Sequence, residues 1–304
     1  MKYEKEPLTF QDQAELLLSR GLIAEKPELV KKLNSVNYYR LSGYFFPFQD
    51  KSTDKFYNGT EFSKIWNRYI FDRQLRLLVL DAIERLEVSI KTNSAYHFSH
   101  RFGAFGHLDK NNLPKMSDFH HTEWLKKIGE ETNRSKDIFV SHFFSKYGDN
   151  HKCLPIWMLV EVIPFGSLLN FYKGMEPSLK RQVAQNYKIP YQVLNSWLTS
   201  INSIRNICAH HSRLWNRVIP YKPQLLSAHK HPEWHENSID NSRLFSILTI
   251  LKYLMNQIAP QSGWKYRLLD LLKSPKYNIP LFQMGFPDDW ESMKLWKDIF
   301  DEDR

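Results

Sequence analysis

One stretch restricts the possible folds more than any other. From Glu61 to about Ser99 the chain reads EFSKIWNRYIFDRQLRLLVLDAIERLEVSIKTNSAYHFS, with no glycine or proline to interrupt it. Within it Ile65, Tyr69, Leu75, Leu78, Val79, Ala82, Ile83, Leu86 and Ile90 recur at steps of three and four. That period gathers apolar side chains on one stripe of an α-helix. Strand-like alternation is nearly absent elsewhere, so the chain reads as all-α. Further helices are predicted near residues 9–19, 26–36, 119–128, 136–146, 156–172, 177–186, 191–212 and 242–258. Pro155, Pro164, Gly166, Gly174, Pro177 and Pro190 punctuate the middle of the chain. Three zones follow: an N-terminal helical lobe over 1–60, a main helical domain over 61–258, and a C-terminal extension over 259–304 that packs on the core.

A chain of 304 residues with 42% hydrophobic and 14% aromatic residues can bury a sizeable core. Its two cysteines, Cys153 and Cys208, stand in no paired spacing, which fits a reducing compartment. The opening MKYEKEPLTF does not read as a signal peptide, and the apolar run Phe245–Met255 is short and broken by Lys252. The expectation is a cytoplasmic protein with no membrane partner. The net charge of +9 is concentrated: residues 151–230 hold ten Lys or Arg against only Glu161 and Glu176. A basic segment between near-neutral ones points to a polyanion, because phosphate neutralisation supplies most non-specific nucleic-acid affinity.

The chemistry concentrates in YQVLNSWLTSINSIRNICAHHSRLWNR, residues 191–217. On a helix, Val193, Trp197, Ile201, Ile204, Ile207 and Cys208 cover one broad face. Asn195, Thr199, Asn202, Asn206, His210 and Arg213 line the opposite one. Arg205 falls at the border, where its stem can lie on apolar neighbours. Residues 191–212 contain no Lys, Asp or Glu, unlike an ordinary solvent face. Imidazole moves protons near neutral pH, and guanidinium offers a fixed fork of donors to phosphate. No carboxylate cluster lies nearby to hold magnesium, so the set favours metal-independent phosphodiester chemistry with no cofactor.

RNICAHH resembles the Arg-x4-6-His motif of HEPN-domain ribonucleases, matching at Arg205, Asn206 and His210. The blocks NYYRLSGYFFPF (37–48), FDRQLRLLVLDAIERLEVSIKT (71–92), LPIWMLVEVIPFGSLLNFY (154–172) and MGFPDDW (284–290) resemble abortive-infection proteins of the AbiD/AbiF type. The resemblance implies a HEPN-like helical bundle in a phage-defence or toxin-like endoribonuclease. It implies a homodimer whose two motif copies meet at a composite site, with His210 as general acid or base and Arg205 stabilising phosphoryl charge. Asn206 would position His210 or the phosphate. RNA is the implied substrate, and a structured noncoding RNA is a further implied partner. The alternative is a HEPN module that binds RNA or protein without cutting.

Other residues carry open readings. His211, Arg213 and Arg217 are candidates for touching RNA. Tyr38, Tyr39 and Arg40 serve either as a stacking platform with a phosphate contact or as part of a packing plug between lobes. His210 can instead cap its helix through the last carbonyls. Arg205 can pair with Glu84, Glu87 or Glu161, which would then hold the guanidinium from behind. His229, His231 and His235 in HKHPEWH match no standard zinc spacing, and GAFGH lacks the Lys-Ser/Thr of a phosphate loop.

Overall fold

A computed structural model describes residues 2, 4 and 6–301. Among them no strand forms; the only β contacts are isolated bridges, Ile23 with Glu61 and Gln49 with Phe56. The all-α expectation holds. No helix among the described residues is long and apolar enough to cross a membrane.

The chain divides into two compact units, Met1–Leu77 with Leu268–Pro280, and Leu78–Arg267 with Leu281–Arg304. In the first unit, α1 (Phe10–Ser19) opens on a capping box. The Thr9 side chain accepts from the Asp12 N–H at 3.2 Å, and the Asp12 carboxylate accepts from the Thr9 N–H at 3.2 Å. Such reciprocal capping stabilises a helix by about 1 kcal/mol. Helix α2 (Lys26–Ser35) packs on α1. The aromatic block 37–48 contains a short helix, α3 (Tyr38–Phe45), capped by the Asn37 side chain. Leu41, Tyr44 and Phe45 turn inward and are buried.

The long pattern forms α4 (Phe62–Phe102), 41 residues without a break. Ile65, Leu75, Val79, Ala82, Ile83, Leu86 and Ile90 are buried, and Tyr69 and Leu78 are half-buried. The stripe also carries an ion pair that its periodicity did not reveal. Asp72 is fully buried and pairs with the buried Arg76, one turn on. The Tyr44 hydroxyl donates to the same carboxylate. Buried charges persist only when paired and hydrogen-bonded. Burial and the Asp72 charge push the Tyr44 phenol above its ordinary range. This triad fixes the block 37–48 on α4.

The second unit contains the remainder of α4, then α5 (Asp118–Arg134), α6 (Ile138–Tyr147), α7 (Ile156–Val162), α8 (Phe165–Gly174), α9 (Pro177–Gln185), α10 (Tyr191–Ala209) and α11 (Leu244–Ile258). The single helix expected over 156–172 is two. Ile163 swings to an extended backbone and Pro164 caps α8, because proline disfavours helical geometry in the residue before it. Helix α5 packs on α7 and α8, while α10 packs on α8, α9 and α11. Every residue of α11 from Leu244 to Lys252 is buried, which makes it the central helix of this unit. Lys252 donates from the interior to the Leu295 carbonyl at 2.8 Å and pairs with Asp298, fastening the C-terminal segment.

Candidate functional site

Helix α10 buries Val193, Leu194, Trp197, Leu198, Ile201, Ile204 and Cys208, so the apolar face read from the sequence is the packed one except at Ile207, which is half-buried and turned to the polar side. Burying each large side chain of this kind stabilises the fold by about 1.5–3 kcal/mol. The helix ends at Ala209, three residues before the expected Ser212. The cause is a Schellman closure. The Ser212 N–H donates to the Ile207 carbonyl at 2.9 Å, and the His211 N–H to the Cys208 carbonyl at 3.0 Å. His211 takes φ +56, a left-handed conformation that costs a non-glycine residue about 1–2 kcal/mol. His210 is the capping residue itself, yet its imidazole is exposed. Capping and chemistry are therefore compatible at this position, since the cap uses backbone alone.

The polar face of α10 forms one wall of a cleft of about 690 Å³. Thr199, Asn202, Ser203, Asn206 and His210 line that wall. Opposite stand Gly166, Asn170 and Lys173 of α8 and Lys127 of α5. Ser212, Arg217 and Tyr221 close the cleft from the segment after α10. No Asp or Glu lines it, whereas Lys127, Lys173, Arg217 and His210 all do. Burial pulls the Lys173 ammonium below its ordinary pKa. The first turn of α8 has no side-chain cap, and its Gly166 faces the cleft. Uncapped N–H groups and the positive end of the helix dipole add to the same field. Such a wall of amides, hydroxyls and cations suits an anion with many acceptor oxygens.

Two sets of bonds position the closing segment. Ser200 donates to the Tyr221 carbonyl at 2.6 Å, the Trp197 indole to the Gln224 carbonyl at 2.7 Å, and Ser196 accepts from the Gln224 N–H at 2.9 Å. These tie the returning chain along α10. Farther back, Arg243 donates to the Asn216 side chain at 2.7 Å and to the Gln283 carbonyl. Gly285, in MGFPDDW, has φ +85, and a Cβ there would lie 2.4 Å from the Arg243 Cβ. Only glycine leaves Arg243 room to bridge the two segments.

The structure brings Asn206, His210 and Arg217 together in the cleft. Arg205 does not line it; the residue is half-buried at the edge of the polar stripe. Among the described residues no ion pair joins Arg205 to Glu84, Glu87 or Glu161. Glu87 pairs instead with Lys91 at 3.3 Å, one turn along α4, and Glu84 and Glu161 are exposed. The expected support of Arg205 by those carboxylates is therefore absent. His211 is exposed and Arg213 half-buried, both outside the cleft, because the early helix end turns them away from the stripe. Tyr38, Tyr39 and Arg40 belong to the first unit. Tyr38 meets Phe45 edge-on at 5.9 Å and accepts from Arg20 at 3.3 Å, so it packs, while Tyr39 is 74% exposed. In the histidine-rich loop, His235 contacts the Leu226 carbonyl at 2.6 Å and His231 pairs with Glu233 at 3.2 Å.

Lys127, Asn170 and Tyr221 were not legible as site residues. They reach the cleft from other helices and a loop, and carry no local motif. Lys173 left one trace, as a member of the basic segment.

Comparison with known proteins adds one finding. The family model described as Abi-like protein matches residues 31–216, more than half of the chain. No curated protein and no solved structure matches.

Proposed function

The chain belongs to the Abi-like protein family, and from that premise we propose that it acts in abortive infection as a metal-independent, HEPN-type endoribonuclease. The observation that carries this reading is the carboxylate-free cleft in which exposed His210 stands beside Asn206, Arg217 and two lysines. Magnesium-dependent nucleases hold their ions through carboxylates; this lining offers amides, an imidazole and cations instead.

In the proposed reaction a ribose 2′-hydroxyl attacks the adjacent phosphorus. The P–O5′ bond breaks, leaving a 2′,3′-cyclic phosphate and a 5′-hydroxyl. His210 accepts the 2′-hydroxyl proton or donates one to the departing oxygen. Lys127, Lys173 and Arg217 neutralise the phosphoryl oxygens, the electrostatic contribution that is usually largest. Asn206, one turn before His210, orients the imidazole or the phosphate. Arg205 enters from a second copy of the chain at a composite site, which accords with its place outside the cleft of its own chain. A homodimer bound to RNA is thus the proposed working form.

The test is cleavage of RNA in EDTA. Wild type should give cyclic-phosphate and 5′-hydroxyl ends, and His210→Ala should lose about 10²–10⁴-fold in rate. Equal cleavage by His210→Ala would refute the assignment. The position of Arg205 favours one second reading, a module that binds RNA without cutting. Binding by wild type with no cleavage would establish that alternative.

A further inference from the structure

A second hollow of about 720 Å³ adjoins the cleft. The two share Lys127, Asn170 and Lys173, so they form one continuous depression across α5 and α8. Lys115, His120, Lys126 and Arg134 extend the lining away from His210. Lys115, Lys126, Lys127 and Arg134 are exposed. Glu123, Glu130 and Glu131 also line the hollow, and spacing on α5 would allow Glu123 to pair with Lys127 and Glu130 with Arg134. Neither pair forms: among the described residues no ion pair engages Lys115, Lys126, Lys127, Lys173 or Arg134. Five cations therefore line an open groove with none of them, among the described residues, held in an ion pair.

The groove is also built rather than incidental. The Lys115 N–H donates to the Gly174 carbonyl at 3.0 Å, fixing that loop to the end of α8. Behind it the buried Lys180 donates to the Lys173 carbonyl at 3.0 Å. Burial first, and the Lys115 charge second, pull the Lys180 ammonium down. Lys180 thus adds its charge behind Lys115 and Lys173.

We propose that an RNA strand held in the cleft continues along this groove, so that the protein grips a single-stranded segment several nucleotides long. The inference rests on the reading of the cleft as a phosphodiester site. Attack by a 2′-hydroxyl in line with the leaving oxygen requires the linkage to leave A-form geometry, so the strand at the cleft is unpaired. Unpaired bases stack on aromatic faces, and of the aromatic side chains exposed on this unit Tyr221 (58%) lines the cleft and Phe119 (70%) is the chain neighbour of the groove residue His120. The three glutamates interrupt the positive surface, so affinity comes from spaced phosphate contacts and depends on salt.

The experiment uses full-length protein and uncleavable 2′-O-methyl oligouridines of about 4 and about 12 nucleotides, with binding read by fluorescence anisotropy. Wild type should bind the long probe at least about tenfold more tightly than the short one. The double variant Lys126→Ala/Arg134→Ala should lose most of that gain. Its slope of log affinity against log salt for the long probe should fall by about 1.4, at ~0.7 per lost single-strand phosphate contact. The corresponding Gln variant, which keeps a polar side chain without the charge, should behave alike. Equal binding of both lengths by wild type, or an undiminished gain in both variants, would overturn the groove. So would polyglutamate competing as well as RNA. If wild type binds neither probe, the phosphodiester reading of the cleft itself fails.

Discussion

Replacing His107 with leucine should make the protein more resistant to acid. His107 is fully buried, and neither ring nitrogen has a hydrogen-bond partner. Its ring stands edge-on to Trp124 at 6.3 Å. Burial, and then the neighbouring His121 charge, pull its pKa down to about 4, against about 6.5 in an unfolded chain. Between those values the unfolded state holds more protons, so stability falls as pH falls. The loss begins near pH 6.5, reaches roughly 2 kcal/mol at about pH 5, and is complete at roughly 3 kcal/mol below about pH 4. The surroundings matter to function. His121 of α5 contacts the His107 carbonyl at 3.0 Å, and the Trp124 indole donates to the Ser167 carbonyl of α8 at 3.0 Å. Protonating His107 therefore strains the joint between two helices that line the cleft. Urea unfolding followed by tryptophan fluorescence, at about pH 8, 6 and 5, measures the effect. The difference in stability between His107→Leu and wild type should shift toward the variant by roughly 2 kcal/mol across that range. Parallel losses in the two proteins would refute the reasoning.

Three further substitutions test the framework. Asp72→Asn breaks a buried, charge-paired triad and should destabilise the protein by about 3–5 kcal/mol in chemical denaturation. Gly285→Ala combines φ +85 with a Cβ against Arg243. It should cost at least about 1–2 kcal/mol in thermal melts and weaken RNA binding, because Arg243 holds the segment bearing Arg217. Lys188→Gly relieves a left-handed lysine at φ +54 after α9 and should stabilise by about 0.5–1 kcal/mol in the same melts.

Periodicity is legible where packing decides the structure. The stripe on α4 and the two faces of α10 were readable because burial selects side chains at steps of three and four. Thr199, Asn202, Asn206 and His210 consequently share the cleft wall as their spacing implied. The end of α10 was not legible, since Ala-His-His-Ser holds no glycine or proline and a histidine occupies the left-handed position. The break at Ile163-Pro164 was signalled by the proline yet concealed by apolar residues running through it. Asp72 was hidden for the opposite reason: an acid on an apolar stripe becomes intelligible only once Tyr44 arrives from α3 to join Arg76, one turn along the same helix. The far wall of the cleft, Lys127 and Asn170, is a product of helix packing between α5, α8 and α10 and has no local signature.

The relation of Arg205 to His210 yields the sharpest prediction about assembly. Five residues of helix separate them by about 140° around the axis, and the structure agrees, with His210 in the cleft and Arg205 outside it. On the proposed shared site, a reaction that needs both groups would draw the arginine from a second chain. Consider Arg205→Ala and His210→Ala, each inactive alone. In a mixed dimer the first chain supplies an intact His210 and the second an intact Arg205, so one of the two composite sites is whole. Equal mixing, after exchange of subunits, makes half the dimers mixed and should restore about a quarter of wild-type cleavage. Were both groups to act within one chain, every site would lack one of them and mixing would restore nothing. Cleavage that stays at the level of the separate variants, under conditions where subunit exchange is demonstrated, would exclude the shared site.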